Sequence, residues 1–264
     1  MITGLPWYIP TIIVLVNATF LTFWIVSLPP ALRRAGVSNP RKVVAVIMSI
    51  LLAWLAVQAM LAASGFYREA SAFPPRFLFG ITPPLTAIVV LFTWNRSRRV
   101  LDEISLAPLT YVHSVRFFVE LVVFALYMYG MTPRLMTFLG RNPDIVIGAT
   151  APFVGYLCIT RRALPLKAAL AWHAFGLALL ANVSTLFIFS VPSTLQLFEV
   201  ERPNVGFFYV PFIWAPTHGV PTVIFAHSIA IRSLTRALGR RRTGDVAGPR
   251  VTHSESMPME GRSR

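Results

Sequence analysis

Residues 7–34 read WYIPTIIVLVNATFLTFWIVSLPPALRR, a long apolar stretch that ends in two arginines. About 20 apolar residues form a helix long enough to cross the roughly 30 Å of hydrocarbon in a bilayer. No Lys or Arg precedes Trp7, the apolar run is longer than the core of a signal peptide, and Arg33 and Arg34 follow it as a stop-transfer signal. We therefore expect this stretch to remain in the protein as its first membrane span.

Six further apolar segments follow along the chain. The composition agrees with a membrane protein, since 55% of the residues are hydrophobic, only 13% are charged and the mean hydropathy is +0.65. A soluble surface needs more charge than this. The sequence therefore predicts an all-α transmembrane bundle of seven spans, at residues 7–29, 43–66, 77–95, 108–131, 144–160, 168–192 and 207–232.

The basic residues alternate between dense and sparse in successive connections. Of 24 Lys and Arg residues, 18 lie in the odd-numbered connections and the C-terminal tail, 5 lie in the even-numbered connections, and Arg116 lies inside a span. Cytoplasmic loops carry the excess of positive charge. The pattern predicts an outside N-terminus and a cytoplasmic C-terminus.

The net charge of +14 has a membrane explanation. The basic residues lie at span ends and in the tail, where anionic lipid headgroups neutralise them, so we expect headgroup contacts and no nucleic-acid partner. We divide the chain into a transmembrane domain, residues 1–238, and a basic, disordered cytoplasmic tail, residues 239–264. The sequence indicates no oligomeric state.

Polar residues inside spans are the best functional candidates, because polar groups are costly in lipid. His113, Arg116 and Glu120 are spaced to share one helical stripe facing the bundle interior. Arg116 and Glu120, four residues apart, can neutralise each other. The stripe is either a structural ion pair, a proton or ion relay, or a site for a charged ligand.

Three histidines share a predicted depth. His113, His173 and His227 each lie roughly 8 Å inside the cytoplasmic boundary, counted at about 1.5 Å per residue. Neutral imidazoles bind zinc, copper and haem iron, so the three could form a haem or transition-metal site. The alternative is three hydrogen-bonded polar residues. His218 lies near mid-membrane among prolines and faces the other way on a straight helix.

A second polar level is predicted nearer the outside. Gln58, Glu120 and Asn182 share this depth. Such a cluster either joins helices by hydrogen bonds, at about 0.6 to 2 kcal/mol per contact, or lines an outward-facing pocket for a small polar ligand.

The connection between the fourth and fifth spans contains Arg141, Asn142, Pro143 and Asp144. Asn142, the proline and the carboxylate of Asp144 are typical of a helix start, and Arg141 and Asp144 are candidates for an ion pair.

Residues 113–152, with the loop pattern MTF-x-GRN-x-DI-x-x-G-x-TAP, and the later segments GLALL-x-N and PF-x-W-x-PT resemble a family of uncharacterised bacterial integral membrane proteins. The resemblance covers roughly residues 110–235, and Pro143 and His173 depart from its pattern. It implies a location in the bacterial inner membrane and brings no known activity.

Several functions are excluded by missing residues. The last span has no lysine for a retinal Schiff base, and the chain has no glycine-rich phosphate loop, no G-x-S-x-G elbow and no H-E-x-x-H zinc pair. We expect a non-enzymatic, transporter-like or accessory membrane component without a cofactor. The alternatives are a redox protein with haem or a metal on the histidines, and a structural or sensory partner acting through its tail.

Overall fold

The computed structural model describes residues 4–246, with side chains for residues 4–240. This part of the chain is helical and contains no strand, as the sequence predicts. Its nine α-helices are α1 (Tyr8–Arg34), α2 (Pro40–Ala63), α3 (Leu78–Thr93), α4 (Asn95–Leu101), α5 (Leu106–Tyr111), α6 (Val115–Met128), α7 (Ile145–Val154), α8 (Leu166–Ser190) and α9 (Val220–Val246).

Four helical segments in residues 4–246 are long and apolar enough to cross a membrane. They are α1, α2, α8 and the segment Leu106–Met128, in which a 3-10 turn at Val112–Ser114 joins α5 to α6. The number becomes five if α3 and α4, which meet at 93°, form one bent span. These helices are compatible with a multi-pass membrane protein.

The third predicted span ends at a sharp bend. Trp94 has an extended backbone, with φ −79° and ψ 120°, and separates apolar α3 from α4, which contains Arg96, Arg98 and Arg99. Moving the arginines into hydrocarbon costs free energy, and the exposed indole of Trp94 is typical of the membrane interface. The bend therefore separates an apolar segment from a polar one.

The fifth and seventh predicted spans are interrupted helices. α7 continues as a π-helical segment at Gly155–Thr160, and the combined segment Ile145–Thr160 is shorter than a standard span. In the seventh, a π-helical segment at Ala215–Gly219 precedes α9, which begins only at Val220. Pro211 and Pro216 lie before this start, where their missing N–H groups prevent a regular helix.

The predicted boundary between bundle and tail falls inside a helix. α9 continues to Val246, so it includes the first residues of the predicted tail, whose disorder stays a prediction. Arg232 and Arg236, one turn apart on α9, both form ion pairs with Asp102 and so join α9 to the connection after α4. The rest of the predicted tail, residues 247–264, lies outside the described residues.

Apolar side chains cover much of the outer surface. α2 buries only Leu55, Gln58 and Ala62, while Ile50 and Met60 on the same helix are more than 60% exposed. Lipid is the natural solvent for such a surface. The interior contains polar groups as well, and the buried charged residues and histidines among them lie on α6, α8, α9 and the segments directly before α6, α7 and α9.

Candidate metal centre and its charged neighbour

Three imidazoles meet in the interior. His113 lies in the 3-10 turn between α5 and α6, His173 on α8 and His227 on α9, and all three are fully buried. One ligand nitrogen from each lies within 4.8 Å of the others. The structure thus brings together the three histidines that the sequence places at one depth.

Ring packing fixes the orientation of the three imidazoles. The rings of His113 and His227 stack with their centroids 3.7 Å apart, and His173 meets His227 edge to face at 5.1 Å. Trp172 contacts all three rings. Trp172 is not among the candidate residues selected from the sequence. Its place directly before His173 in the chain could have indicated that it lies near the histidines.

A glycine makes room for the central imidazole. A Cβ atom on Gly176 would lie 2.5 Å from Cε1 and 2.8 Å from Nε2 of His227, closer than packed atoms approach. Gly176 is one turn after His173 on α8, so the same helix supplies one histidine and the space for another. Only glycine fits here without moving the ring.

The hydrogen bonds of His227 and His173 determine where their protons lie. Arg116 donates from Nη1 to Nε2 of His227 at 2.9 Å, because a guanidinium has no acceptor. Neutral His227 must then hold its proton on Nδ1, from which it donates to Nδ1 of His173 at 2.9 Å. His173 in turn donates from Nε2 to Oγ1 of Thr110 at 3.2 Å. A chain of three hydrogen bonds therefore runs from Arg116 to Thr110.

His113 differs from the other two histidines. Among the described residues, neither of its ring nitrogens has a hydrogen-bond partner, although the side chain is fully buried. A buried imidazole without a partner loses the hydrogen bonds that it makes with water, which costs about 1–3 kcal/mol. An orphaned lone pair in a cluster of imidazoles is what a metal ion would occupy.

The ion pair of Arg116 is not the predicted one. Its Nε and Nη2 both donate to the carboxylate of Asp144, the Nε bond at 2.7 Å, so Asp144 and not Glu120 is the partner. The same contact replaces the predicted pairing of Arg141 with Asp144. A Cβ on Gly148 would collide with the backbone of Phe117, so glycine lets α7 pack directly on α6 and bring Asp144 within reach.

Asn142 holds the connection before α7 in place. Its Nδ2 donates to both carboxylate oxygens of Glu120, at 3.0 and 2.9 Å, and to the carbonyl of Met136 at 2.9 Å. Its Oδ1 accepts from the N–H of Asp144 at 3.2 Å, but α7 begins only at Ile145, with Asp144 at the N-cap and no side-chain cap bond, so a helix starts here without Asn142 as its cap. The predicted cap acts mainly as the partner of a buried carboxylate.

The other predicted polar residues lie apart from the histidines. Asn182 donates to the backbone carbonyl of Arg141 at 2.9 Å. His218, in the π-helical segment before α9, hydrogen-bonds through Nδ1 to Oδ1 of Asn17 at 2.9 Å. Gln58 accepts from the hydroxyl of Tyr67, and none of the hydrogen bonds described for it joins it to Glu120 or Asn182.

An interior cavity of about 330 Å³ lies beside the charged groups. Apolar side chains of α1, α3, α6, α8 and α9 form most of its wall, and its polar lining side chains are Asn17, Arg116, Glu120, Asp144 and Ser184. Arg116 therefore contacts both the cavity and the histidine cluster.

Comparison of this chain with known protein families, curated proteins and solved structures finds no match.

Proposed function

We propose that this chain is a non-enzymatic, seven-span membrane protein that binds one transition-metal ion at His113, His173 and His227. The observation that carries the proposal is the convergence of three buried imidazoles, one of them without a hydrogen-bond partner. Neutral imidazole is a common ligand of zinc, copper, iron and nickel. Sites built from facing helices of a bundle commonly hold such ions.

A single ion fits the cluster better than haem. The imidazoles of His113 and His227 stack at 3.7 Å, which leaves no space between them for a macrocycle. Two nitrogens on one ion, each bound at about 2.1 Å, lie roughly 3.0–3.4 Å apart. One ligand nitrogen from each of the three histidines lies within 4.8 Å of the others, which is close to the spacing that a single ion needs.

The neighbouring charges are compatible with a bound cation. Asp144 neutralises Arg116, and Glu120 adds a second carboxylate on the same side of α6. Because the carboxylate of Asp144 neutralises the guanidinium beside His227, the ion pair as a whole does not repel a metal ion at the imidazoles.

Binding of the ion would move Arg116. In the tautomer set by the hydrogen-bond chain, the only lone pair of His227 is on Nε2, and Arg116 occupies it. The ion can reach this nitrogen only after the guanidinium leaves, while Asp144 continues to hold Arg116. Metal binding and the hydrogen bond from Arg116 to His227 therefore exclude each other. Such competition is expected for a protein that binds an ion reversibly.

A second candidate function is proton transfer. The hydrogen-bond chain from Arg116 through His227 and His173 to Thr110 favours it. Proton flux into liposomes should then persist in metal-free protein and disappear when His173 is replaced by Leu. Flux that depends on added metal would support the metal function instead.

The membrane topology is part of the proposal. The seven spans, the outside N-terminus and the cytoplasmic C-terminus rest on the segment hydropathy and on the uneven distribution of basic residues. The family resemblance supports a bacterial inner membrane. A reporter fused after Arg264 should be active only in the cytoplasm, and periplasmic activity would overturn the orientation.

Metal analysis of the full-length protein tests the central proposal. After incubation with Zn²⁺, Cu²⁺ or Fe²⁺ and removal of unbound ion, wild-type protein should retain one ion per chain. His113→Ala should lose it, whereas His218→Ala should retain it, because His218 pairs with Asn17 outside the cluster. Wild-type protein without bound metal, or equal loss in both variants, would refute the metal function.

A further inference from the structure

The interior cavity has the size and lining of a ligand site. Its volume of about 330 Å³ lies at the lower end of the roughly 300–1,000 Å³ typical of small-molecule pockets. Its wall is largely apolar and is formed by five helices, four of them part of the apolar segments that could cross or bend within a membrane. A ligand that reaches it from the bilayer must be soluble in lipid.

The polar end of the cavity offers both an acceptor and donors. A carboxylate has about four lone-pair positions, and the side-chain partner of Glu120 is the single amide nitrogen of Asn142. Arg116 has five N–H groups, and its hydrogen bonds to Asp144 and His227 use three of them. Arg116 and Glu120 lie one turn apart on α6, so both can face one ligand group.

We propose that the cavity binds a membrane-soluble alcohol, a molecule with one hydroxyl head and an apolar body. A hydroxyl donates one hydrogen bond and accepts others, so it can donate to Glu120 and accept from Arg116 at the same time. A carboxylate head would meet the carboxylates of Glu120 and Asp144, and a hydrocarbon would leave the polar end without a partner. The apolar wall takes the body of the ligand.

The alcohol site is separate from the metal site. None of the three histidines lines the cavity, and the two sites share only Arg116 as a contact. The ligand needs no metal ion for binding. The binding experiment therefore uses metal-free protein, so that loss of alcohol binding and loss of metal binding are independent results.

Binding of radiolabelled 1-dodecanol to full-length protein in nanodiscs tests the proposal, with empty nanodiscs as the partition background. We expect saturable binding of one alcohol per chain. Dodecane and dodecanoate should bind at least about tenfold more weakly, because each lacks the matched hydrogen bonds. Decyl hydroquinone is then added as a competitor of dodecanol. Strong displacement of dodecanol indicates that the site prefers a phenolic hydroxyl, and weak displacement indicates that it prefers an aliphatic one.

Two neighbouring residues of α8 provide matched variants. Ser184 lines the cavity, whereas Thr185 is exposed and bonds only to the carbonyl of Ala181 among the contacts described for it. Ser184→Trp should fill the cavity and weaken dodecanol binding at least about tenfold, while Thr185→Trp should not. Glu120→Leu should weaken binding, and Glu120→Gln, which keeps an acceptor oxygen, should restore most of it.

Equal binding of dodecanol and dodecane would overturn the proposal, because the hydroxyl would then have no partner in the cavity. Equal effects of tryptophan at residues 184 and 185 would also overturn it, because binding would then occur on the outer surface of α8. Unchanged binding in Glu120→Leu would remove the proposed acceptor.

Discussion

Replacing Asp144 by Ala should leave a buried positive charge without a partner. The guanidinium of Arg116 is held by two hydrogen bonds from its Nε and Nη2 to this carboxylate. Arg116 is 3% exposed and Asp144 is 4% exposed, so the pair is removed from bulk water. The variant tests whether the interior of the bundle depends on this pair.

The expected magnitude follows from the burial. Removing one partner of a buried ion pair typically costs about 3–5 kcal/mol. For a chain of this size each kcal/mol corresponds to roughly 2–4 °C in melting temperature, so Asp144→Ala should lower it by roughly 6–20 °C. The double variant Arg116→Met with Asp144→Leu should recover most of this loss, because it removes both charges. It should also bind metal more tightly, since no guanidinium competes for His227.

The chain contains its own probe of unfolding. Cys158 is the only cysteine and is 1% exposed, so a thiol-reactive fluorophore labels it when the bundle opens. Labelling during a temperature ramp in detergent gives the melting temperature without an added tag. Cys158 lies in the π-helical segment that continues α7, the helix that Asp144 directly precedes.

An exposed ion pair provides the control. Arg34 and Glu103 lie 3.4 Å apart with side chains 48% and 41% exposed, and such surface pairs contribute only about 0–1 kcal/mol. Glu103→Ala should therefore change the melting temperature by no more than a few degrees. If Asp144→Ala lowers the melting temperature by no more than Glu103→Ala does, the Arg116–Asp144 ion pair does not stabilise the interior. The description of this pair beside the histidine cluster would then be wrong.

Three further predictions concern the cluster and the cytoplasmic end. Gly176→Ala should displace the ring of His227 and reduce bound metal in elemental analysis, with a small change in thermal labelling of the thiol. Bound metal should be released on acidification, because imidazole binds metal only when it is deprotonated, and dialysis across a pH series measures this. Burial raises the pKa of Asp102, but the hydrogen bonds and the positive charges of Arg232 and Arg236 together outweigh it and hold the pKa below its ordinary value of 3.8. Wild type should therefore melt above Asp102→Asn at neutral pH, and this difference should vanish as the pH falls well below 3.8.

Hydropathy predicted the helical class well, because long apolar segments satisfy their backbone hydrogen bonds as helices in lipid. Four of the predicted spans correspond to long apolar helical segments in the described part of the chain. The bend at Trp94 lies where the apolar α3 meets the arginine-rich α4, and the late start of α9 follows a proline-containing π-helical segment; hydropathy averaged over a whole span reveals neither break. The partner of Arg232 and Arg236, Asp102, lies in a distant connection that local spacing does not identify.

The candidate site was predicted in part. Counting helical rise placed His113, His173 and His227 together because depth in a membrane is a one-dimensional property of the sequence. The pairing of Arg116 was wrong, because local spacing favoured Glu120 while the connection before α7 folds back and supplies Asp144. Such a return of the chain depends on tertiary packing at a glycine, which spacing alone does not reveal.

X-ray absorption spectroscopy of the metal-loaded, full-length protein tests the central claim most directly. We expect imidazole scattering from three histidines with metal–nitrogen distances of about 2.0–2.1 Å for zinc, and from two histidines in His113→Ala if any metal remains. A first shell of oxygen atoms without imidazole scattering would contradict the three-histidine centre.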